Sequence, residues 1–156
     1  MNIIGETERS IDDKGRIVVP TEIREDLGEV CFLTRGFDHC INLYAKKEYD
    51  ELLLKLKDPT KMDRKAAMLQ RRFAVTPVSI DNQGRLPISA ALREYAGISL
   101  EQKSDQKSVV LISADDKIEI WAKDRWVAYN SEITDDDVTE AFEIVISRNG
   151  SNNPSS

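Results

Sequence analysis

The sequence predicts a mixed α+β fold, mainly β, in which one small unit is used twice. Three observations predict it. The motif Asp-x-x-Gly-Arg occurs at Asp12–Arg16 and again at Asp81–Arg85, 69 positions further on. The same offset carries Ile17 onto Leu86, Val19 onto Ile88, Ile23 onto Leu92, Arg24 onto Arg93 and Gly28 onto Gly97. Later, Ile41–Lys46 falls on Ile118–Lys123 and Tyr49 on Trp126, now at an offset of 77. A match that persists through turn, strand, helix and hairpin marks a duplication. The change of offset places an eight-residue insertion in the second copy, most simply in the polar stretch Ser99–Ser108.

Each copy reads the same way. A strand ends at the Asp-x-x-Gly turn and a second strand starts at the Arg. Asp12 and Asp81 are expected to shape the turns by accepting from backbone N–H groups a few residues on, and Gly15 and Gly84 to supply a positive φ. Ile17–Val19 and Leu86–Ile88 continue as short strands, with Pro87 confining its strand to an edge or an end. Short helices follow at about 20–27 and 89–96. Pro20 stands near the first helical position, Ser89 is a candidate N-cap, and Gly28 and Gly97 stand where a C′ glycine is expected. A hairpin closes each copy: Val30–Thr34 with Cys40–Tyr44, and Val109–Ser113 with Lys117–Trp121.

Two helices are expected between the copies. In 46–57, Tyr49, Leu52, Leu53 and Leu56 form an i, i+3, i+4, i+7 stripe. Asp58-Pro59 ends that helix and is expected to start the next, along 60–72, whose stripe is Met62, Ala66, Leu69 and Phe73. After the second copy, Thr134 reads as an N-cap with Asp135–Asp137 in the first turn, and Val138, Ala141, Phe142 and Val145 make another stripe. Residues Asn149–Ser156 carry nothing to bury and are expected to be disordered. The expected organisation is therefore a first unit with its following helix at 1–57, a linker helix at 58–73, a second unit at 74–133, and an acidic helix and tail at 134–156.

The net charge of −6 is unevenly placed. Residues 132–156 hold six acids against Arg148 alone, a net of −5, so the remaining 131 residues sum to −1. Within them, 55–72 hold seven Lys and Arg against Asp58 and Asp63, a net of +5. The local charge bears on nucleic-acid binding more than the overall balance does. No apolar run approaches the ~20 residues that span a bilayer, and the N-terminus lacks the pattern of a signal peptide. Cys31 and Cys40 make no disulfide framework. The hairpin leaves room for them to face each other, but even then, with His39, the one histidine, they fall short of a zinc set. No metal, cofactor, membrane or small-molecule substrate is expected, and a cytoplasmic location is.

These repeated motifs carry a family resemblance. The frames Ser10–Pro20 and Ser79–Ser89, each with Asp-x-x-x-Arg, resemble the MraZ family of bacterial transcriptional regulators, built from two AbrB-like (SpoVT-AbrB) units. The resemblance covers roughly residues 1–133. It implies a tandem AbrB-like double-psi/swapped-hairpin β-barrel with flanking short helices. It also implies a ring-shaped homo-oligomer, nucleoid-associated, that binds short repeated boxes of double-stranded DNA in the promoter of the division and cell-wall gene cluster. The DNA-binding residues carried over are Arg16 and Arg85, with Lys14 beside the first. The second copy departs from the first: it has Asn82-Gln83 where the first has Asp13-Lys14, and Ser89 in place of Pro20.

An arginine at the mouth of such a turn has two possible jobs. It can pair with the Asp four residues earlier, or it can reach a phosphate or a guanine edge. A mixed role is expected, with Lys14 and Arg16 outweighing Arg85. Lys61, Arg64, Lys65, Arg71 and Arg72 read first as a solvated helix face, the alternative being that they flank the DNA groove or meet the acidic tail of a neighbour; Arg24 and Arg93 read as helix-surface charges. Tyr44/Tyr49 and Trp121/Trp126 read as joints between hairpin and helix. No nucleotide loop, nucleophile elbow or metal cluster points to an enzyme. An antitoxin built on a single such unit is the alternative within the fold, disfavoured by the duplication and the short tail.

Overall fold

The computed structural model describes residues 1–101 and 107–151. Most of the expected insertion and the last five residues lie outside them. The chain forms two compact units, Met1–Lys123 and Asp124–Ser156.

Among the described residues, the first unit contains eight strands. From the first repeat come β1 (Thr7–Ser10), β2 (Arg16–Val18), β3 (Val30–Arg35) and β4 (Ile41–Ala45), with helix α1 (Thr21–Leu27) between β2 and β3. Helices α2 (Lys46–Lys55) and α3 (Arg64–Phe73) follow. The second repeat supplies β5 (Val78–Ser79), β6 (Arg85–Pro87), α4 (Ala90–Ala96), β7 (Ser108–Ala114) and β8 (Lys117–Ala122). Six strands make a curled antiparallel sheet in the order β1-β7-β8-β4-β3-β5, and β2 pairs with β6 in a separate ribbon.

This order is an exchange. Strand β1 of the first repeat lies on the second repeat's hairpin, with Thr7 opposite Leu111. Strand β5 of the second lies on the first repeat's hairpin, with Val30 opposite Ser79. The two hairpins meet at β4–β8, Leu43 opposite Ile118. In the ribbon, Ile17 stands opposite Leu86, and both are fully buried. One apolar core results, drawing Ile17, Ile23, Leu33, Leu86, Ile88, Leu111 and Ile120 from both repeats. Every residue of β4 is buried, as expected of a strand covered on both faces.

Local expectations are met at several ends. The Ser89 hydroxyl accepts from the Leu92 N–H at 3.3 Å, and Gly28 and Gly97 follow the ends of α1 and α4. Tyr49 is a joint as expected: it stacks on Phe32 with ring centroids 4.1 Å apart, and its hydroxyl donates to the Phe73 carbonyl at 2.6 Å. Other expectations need correction. Helix α3 starts at Arg64, capped by Asp63, whose side chain accepts from the Lys65 N–H. The Asp58 carboxylate instead folds the preceding turn by accepting from the N–H groups of Thr60, Met62 and Asp63. Met62 is therefore an exposed turn residue and not part of the stripe. Cys31 stands opposite Ala45, so it does not face Cys40. Both thiols are unpaired, and burial pushes each up to about 12.

In the second unit, α5 (Lys123–Ser131) continues from β8 and α6 spans Asp135–Ser151. The start of α6 is a reciprocal cap. The Thr134 hydroxyl accepts from the Asp137 N–H, and the Asp137 carboxylate accepts from the Thr134 N–H, both at 3.0 Å. The helix runs past Asn149 to Ser151, against the disorder expected from Asn149 on; the rest of that expectation, 152–156, lies outside the described residues. No helix among the described residues is long and apolar enough to cross a membrane.

The shared core gives a direct expectation. Leu86→Ala should cost about 2–5 kcal/mol in urea unfolding, because the cavity opens beneath Ile17. Leu54→Ala, at a position 69% exposed, should change stability by less than about 0.5 kcal/mol. Equal costs would contradict a core that closes under the ribbon.

Candidate nucleic-acid interface

The two Asp-x-x-Gly-Arg turns fold alike because one carboxylate satisfies several donors. In the first, the Asp12 carbonyl accepts from the Gly15 N–H at 3.0 Å. Asp12 Oδ1 accepts from the N–H groups of Lys14 and Arg16, each at 2.9 Å, and Oδ2 accepts from Arg16 Nε at 2.9 Å. In the second, Asp81 Oδ1 accepts from the N–H groups of Gln83 and Arg85 at 2.9 and 2.8 Å. There Arg85 Nε lies 3.2 Å from Asp81 Oδ2, an ion pair without a hydrogen bond. The first guanidinium is thus held more firmly than the second. Burial raises the Asp12 pKa, but the hydrogen bonds from Arg16 and Lys14 outweigh it and leave the carboxyl below its ordinary 3.8. Asp81 is lowered too, first by the Arg85 N–H.

The turn glycines lock the repeats together. Gly15 and Gly84 have φ of +78° and +77°, which side chains rarely adopt. The Gly84 carbonyl accepts from the Val19 N–H, and the Gly15 carbonyl from the Ile88 N–H, both at 2.8 Å. Arg24, in α1, donates to the Val19 carbonyl at 3.0 Å and lies where a Cβ on Gly84 would sit. Arg93, in α4, donates to the Ile88 carbonyl at 2.6 Å and blocks Gly15 in the same way. These arginines are therefore not the surface charges that their helical positions suggested. Each clamps the other repeat's turn.

With Ile17 and Leu86 pointing into the core, the alternation of β2 and β6 puts Arg16, Val18, Arg85 and Pro87 on the opposite, outer face. The register is Arg16 opposite Pro87 and Val18 opposite Arg85, so the two arginines lie diagonally across one small ribbon. Arg9, which the motif does not signal, joins them by donating from Nε to the Val18 carbonyl at 3.2 Å. Lys14 is exposed in the first turn. Its neighbour Asp13 is paired with Lys107 at 2.7 Å.

Lys14 also borders a groove of about 1260 Å³. Its other charged lining residues are Arg35, Arg71, Arg72 and Arg93, with no carboxylate or histidine among the lining. Arg72 is more than a solvated charge. It donates to the Tyr95 hydroxyl at 2.8 Å and, with Arg35, lies over the Tyr95 ring, at 5.6 and 5.5 Å from its centroid. The Tyr95 hydroxyl in turn donates to the Gly36 carbonyl at 2.6 Å. His39 packs on the same ring. Among the described residues no three His, Cys, Asp or Glu side chains gather closely enough to hold a metal ion.

Comparison with known proteins adds a family to this geometry. The family model described as "MraZ protein, putative antitoxin-like" matches residues 3–72 and again 74–149, once per repeat and beyond residue 133 into α6. Among curated relatives, a protein of Symbiobacterium thermophilum is 36% identical over 131 residues, 83% of this chain and 90% of its own. One of Alkaliphilus metalliredigens is 38% identical over 144 residues, 90% and 96% of the two chains. One of Clostridium botulinum strain Alaska E43 is 39% identical over 137 residues, 86% and 92%. All three are named transcriptional regulator MraZ.

Two outcomes test the turns. Gly15→Ala should cost about 1–3 kcal/mol for its positive φ and the displaced Arg93. Combined with Arg93→Ala it should cost less than the sum of the two changes; strict additivity would separate the clamp from the turn. The lowered Asp12 and Asp81 pKa values stabilise the fold fully above the ordinary carboxylate range. That stability is lost as pH falls through the lowered values. Below about pH 4, the urea midpoint of the parent chain should therefore fall more steeply than that of Asp12→Asn/Asp81→Asn. Parallel slopes would show that these carboxylates do not carry the acid sensitivity.

Proposed function

The chain belongs to the MraZ family of transcriptional regulators, and from that premise we propose that it reads repeated boxes of double-stranded promoter DNA as a ring-like homo-oligomer. Lys14, Arg16 and Arg85 make the contacts. The promoter is that of the division and cell-wall gene cluster, and the protein works in the cytoplasm at the nucleoid. The observation that carries this reading is the β2–β6 ribbon with both arginines on its outer face. A two-stranded ribbon fits the DNA major groove, which is about 12 Å wide. Asp12 holds Arg16 by Nε, so the guanidinium presents its terminal N–H groups in one orientation, suited to the paired acceptors of a guanine. Lys14, compact and exposed, suits a phosphate. Avidity across several protomers then raises apparent affinity by ~10² or more.

Relatives named as transcriptional regulators support this reading over an enzyme.

A footprint on the chain's own upstream DNA should show repeated protected boxes. In a salt titration, Arg16→Ala should flatten the slope of log K against log salt by roughly 0.9 for each engaged protomer if Arg16 meets phosphate. If it reads a base, Arg16→Ala should relax discrimination at one position of the box by about 1–3 kcal/mol. Arg85→Ala should do less. An Arg16→Ala protein that folds, assembles and binds with unchanged slope and sequence preference would remove Arg16 from the interface.

A further inference from the structure

The second unit carries an apolar surface that its composition does not explain. On α6, Val138, Phe142, Ile144, Val145 and Ile146 are exposed, Phe142 at 65% and Val138 at 56%. Val138, Ala141, Phe142 and Val145 share one helical face, spaced i, i+3, i+4, i+7. Asp135, Asp136 and Asp137 crowd the first turn, and Glu140 and Glu143 follow. At 1.5 Å per residue its 17 residues extend for about 25 Å. Apolar surface of this extent on a soluble helix calls for a partner.

The first unit carries a surface of matching chemistry. The groove beside the ribbon is open and partly apolar, and it includes Phe37 at 68% and Met68 at 59% exposure. Its charged lining consists of Lys14, Arg35, Arg71, Arg72 and Arg93. The two surfaces are complementary in both respects: an exposed apolar stripe with acids around it, and an exposed apolar floor with cations around it.

We propose that α6 of one copy docks in this groove of a second copy, with Phe142 and Val145 toward Phe37 and Met68 and the acids toward the arginines. Such a contact is heterologous: it uses different patches on the two copies, and repeated contacts of this kind close a ring when the rotation per copy allows it. The inference rests on the self-association in the preceding reading and needs no DNA for its test.

The test uses two full-length chains with tags of different mass, one carrying Met68→Cys and the other Phe142→Cys, co-expressed and oxidised with diamide. The buried native thiols, raised to about 12, stay inert. The expected product is a covalent pair holding one of each tag. In parallel, Arg71→Glu should shift assembly to at least tenfold higher concentration by light scattering, and adding Glu143→Arg should restore part of it. Same-tag pairs only, or no cross-link in a protein that still assembles, would overturn the docking alone. So would a cross-link that, with Met68→Cys and Phe142→Cys placed together in one chain, forms only within single chains. A protein that stays monomeric at all concentrations would overturn the docking and the ring together.

Discussion

The structure depends on two backbone hydrogen bonds that cross between the repeats, from Val19 to the Gly84 carbonyl and from Ile88 to the Gly15 carbonyl. Each takes the glycine of one turn and ties it to the strand end of the other copy. A side chain at either glycine would be strained by the positive φ and would have to displace the guanidinium of Arg93 at Gly15 or of Arg24 at Gly84. Once these ties are made, β2 and β6 must lie side by side with Ile17 against Leu86. The remaining strands are then placed as well: β1 reaches the second hairpin and β5 the first. A half chain would expose Leu86 or Ile17 and leave both turns without their clamps, so neither repeat has a complete core of its own.

The same constraint positions the outer face of the ribbon. Alternation along a three-residue strand allows one inward side chain and two outward ones. The inward residue is fixed by the core, so Arg16 and Arg85 have no other face to occupy. Asp12 and Asp81 then serve two purposes with one carboxylate each. They close the turn through backbone N–H groups, and they hold the arginine beside it. The structural role seen at Arg16 is therefore compatible with the recognition role proposed for it. The interaction that closes the turn also restricts the guanidinium to few orientations, which lowers the entropy lost on meeting a ligand.

Much of this was legible in the sequence, and what was not has a common cause. The turns, the caps at Ser89 and Thr134 and the hairpins depend on residues within about five positions, and local chemistry specifies them. The exchange of β1 and β5 depends on which of two similar hairpins each strand meets. A repeated sequence cannot distinguish those partners by pattern; only the family resemblance pointed to a swapped hairpin. The clamping role of Arg24 and Arg93 is not legible in the sequence, because helical periodicity shows that a residue leaves the core face but not what lies beyond it. Here the other repeat's glycine lies beyond it. The start of α3 was misplaced for a related reason. Asp58 and Asp63 both suit an N-cap, and Asp58 is taken up by a turn. The groove was not foreseen, because its cations come from the first turn, β3, α3 and α4, too far apart in sequence to form a motif.

Duplication inside one chain also frees the two turns to diverge. In a pair of identical units every substitution would appear twice. Here the first turn has Asp13-Lys14, with Lys107 on Asp13, and the second has Asn82-Gln83. Arg16 is hydrogen-bonded to its Asp, whereas Arg85 is only near its own. The fold's near symmetry survives because the residues that enforce it, Gly15, Gly84, Arg24 and Arg93, are the same in both halves. The differences fall on the outer face, where the core does not constrain them. A ribbon of three residues per strand is also far smaller than the roughly 1,000–2,500 Å² that specific DNA binding buries. Under the proposed function, reading DNA through it would need several copies in register, and specificity would come from the spacing between copies as much as from the ribbon's two arginines.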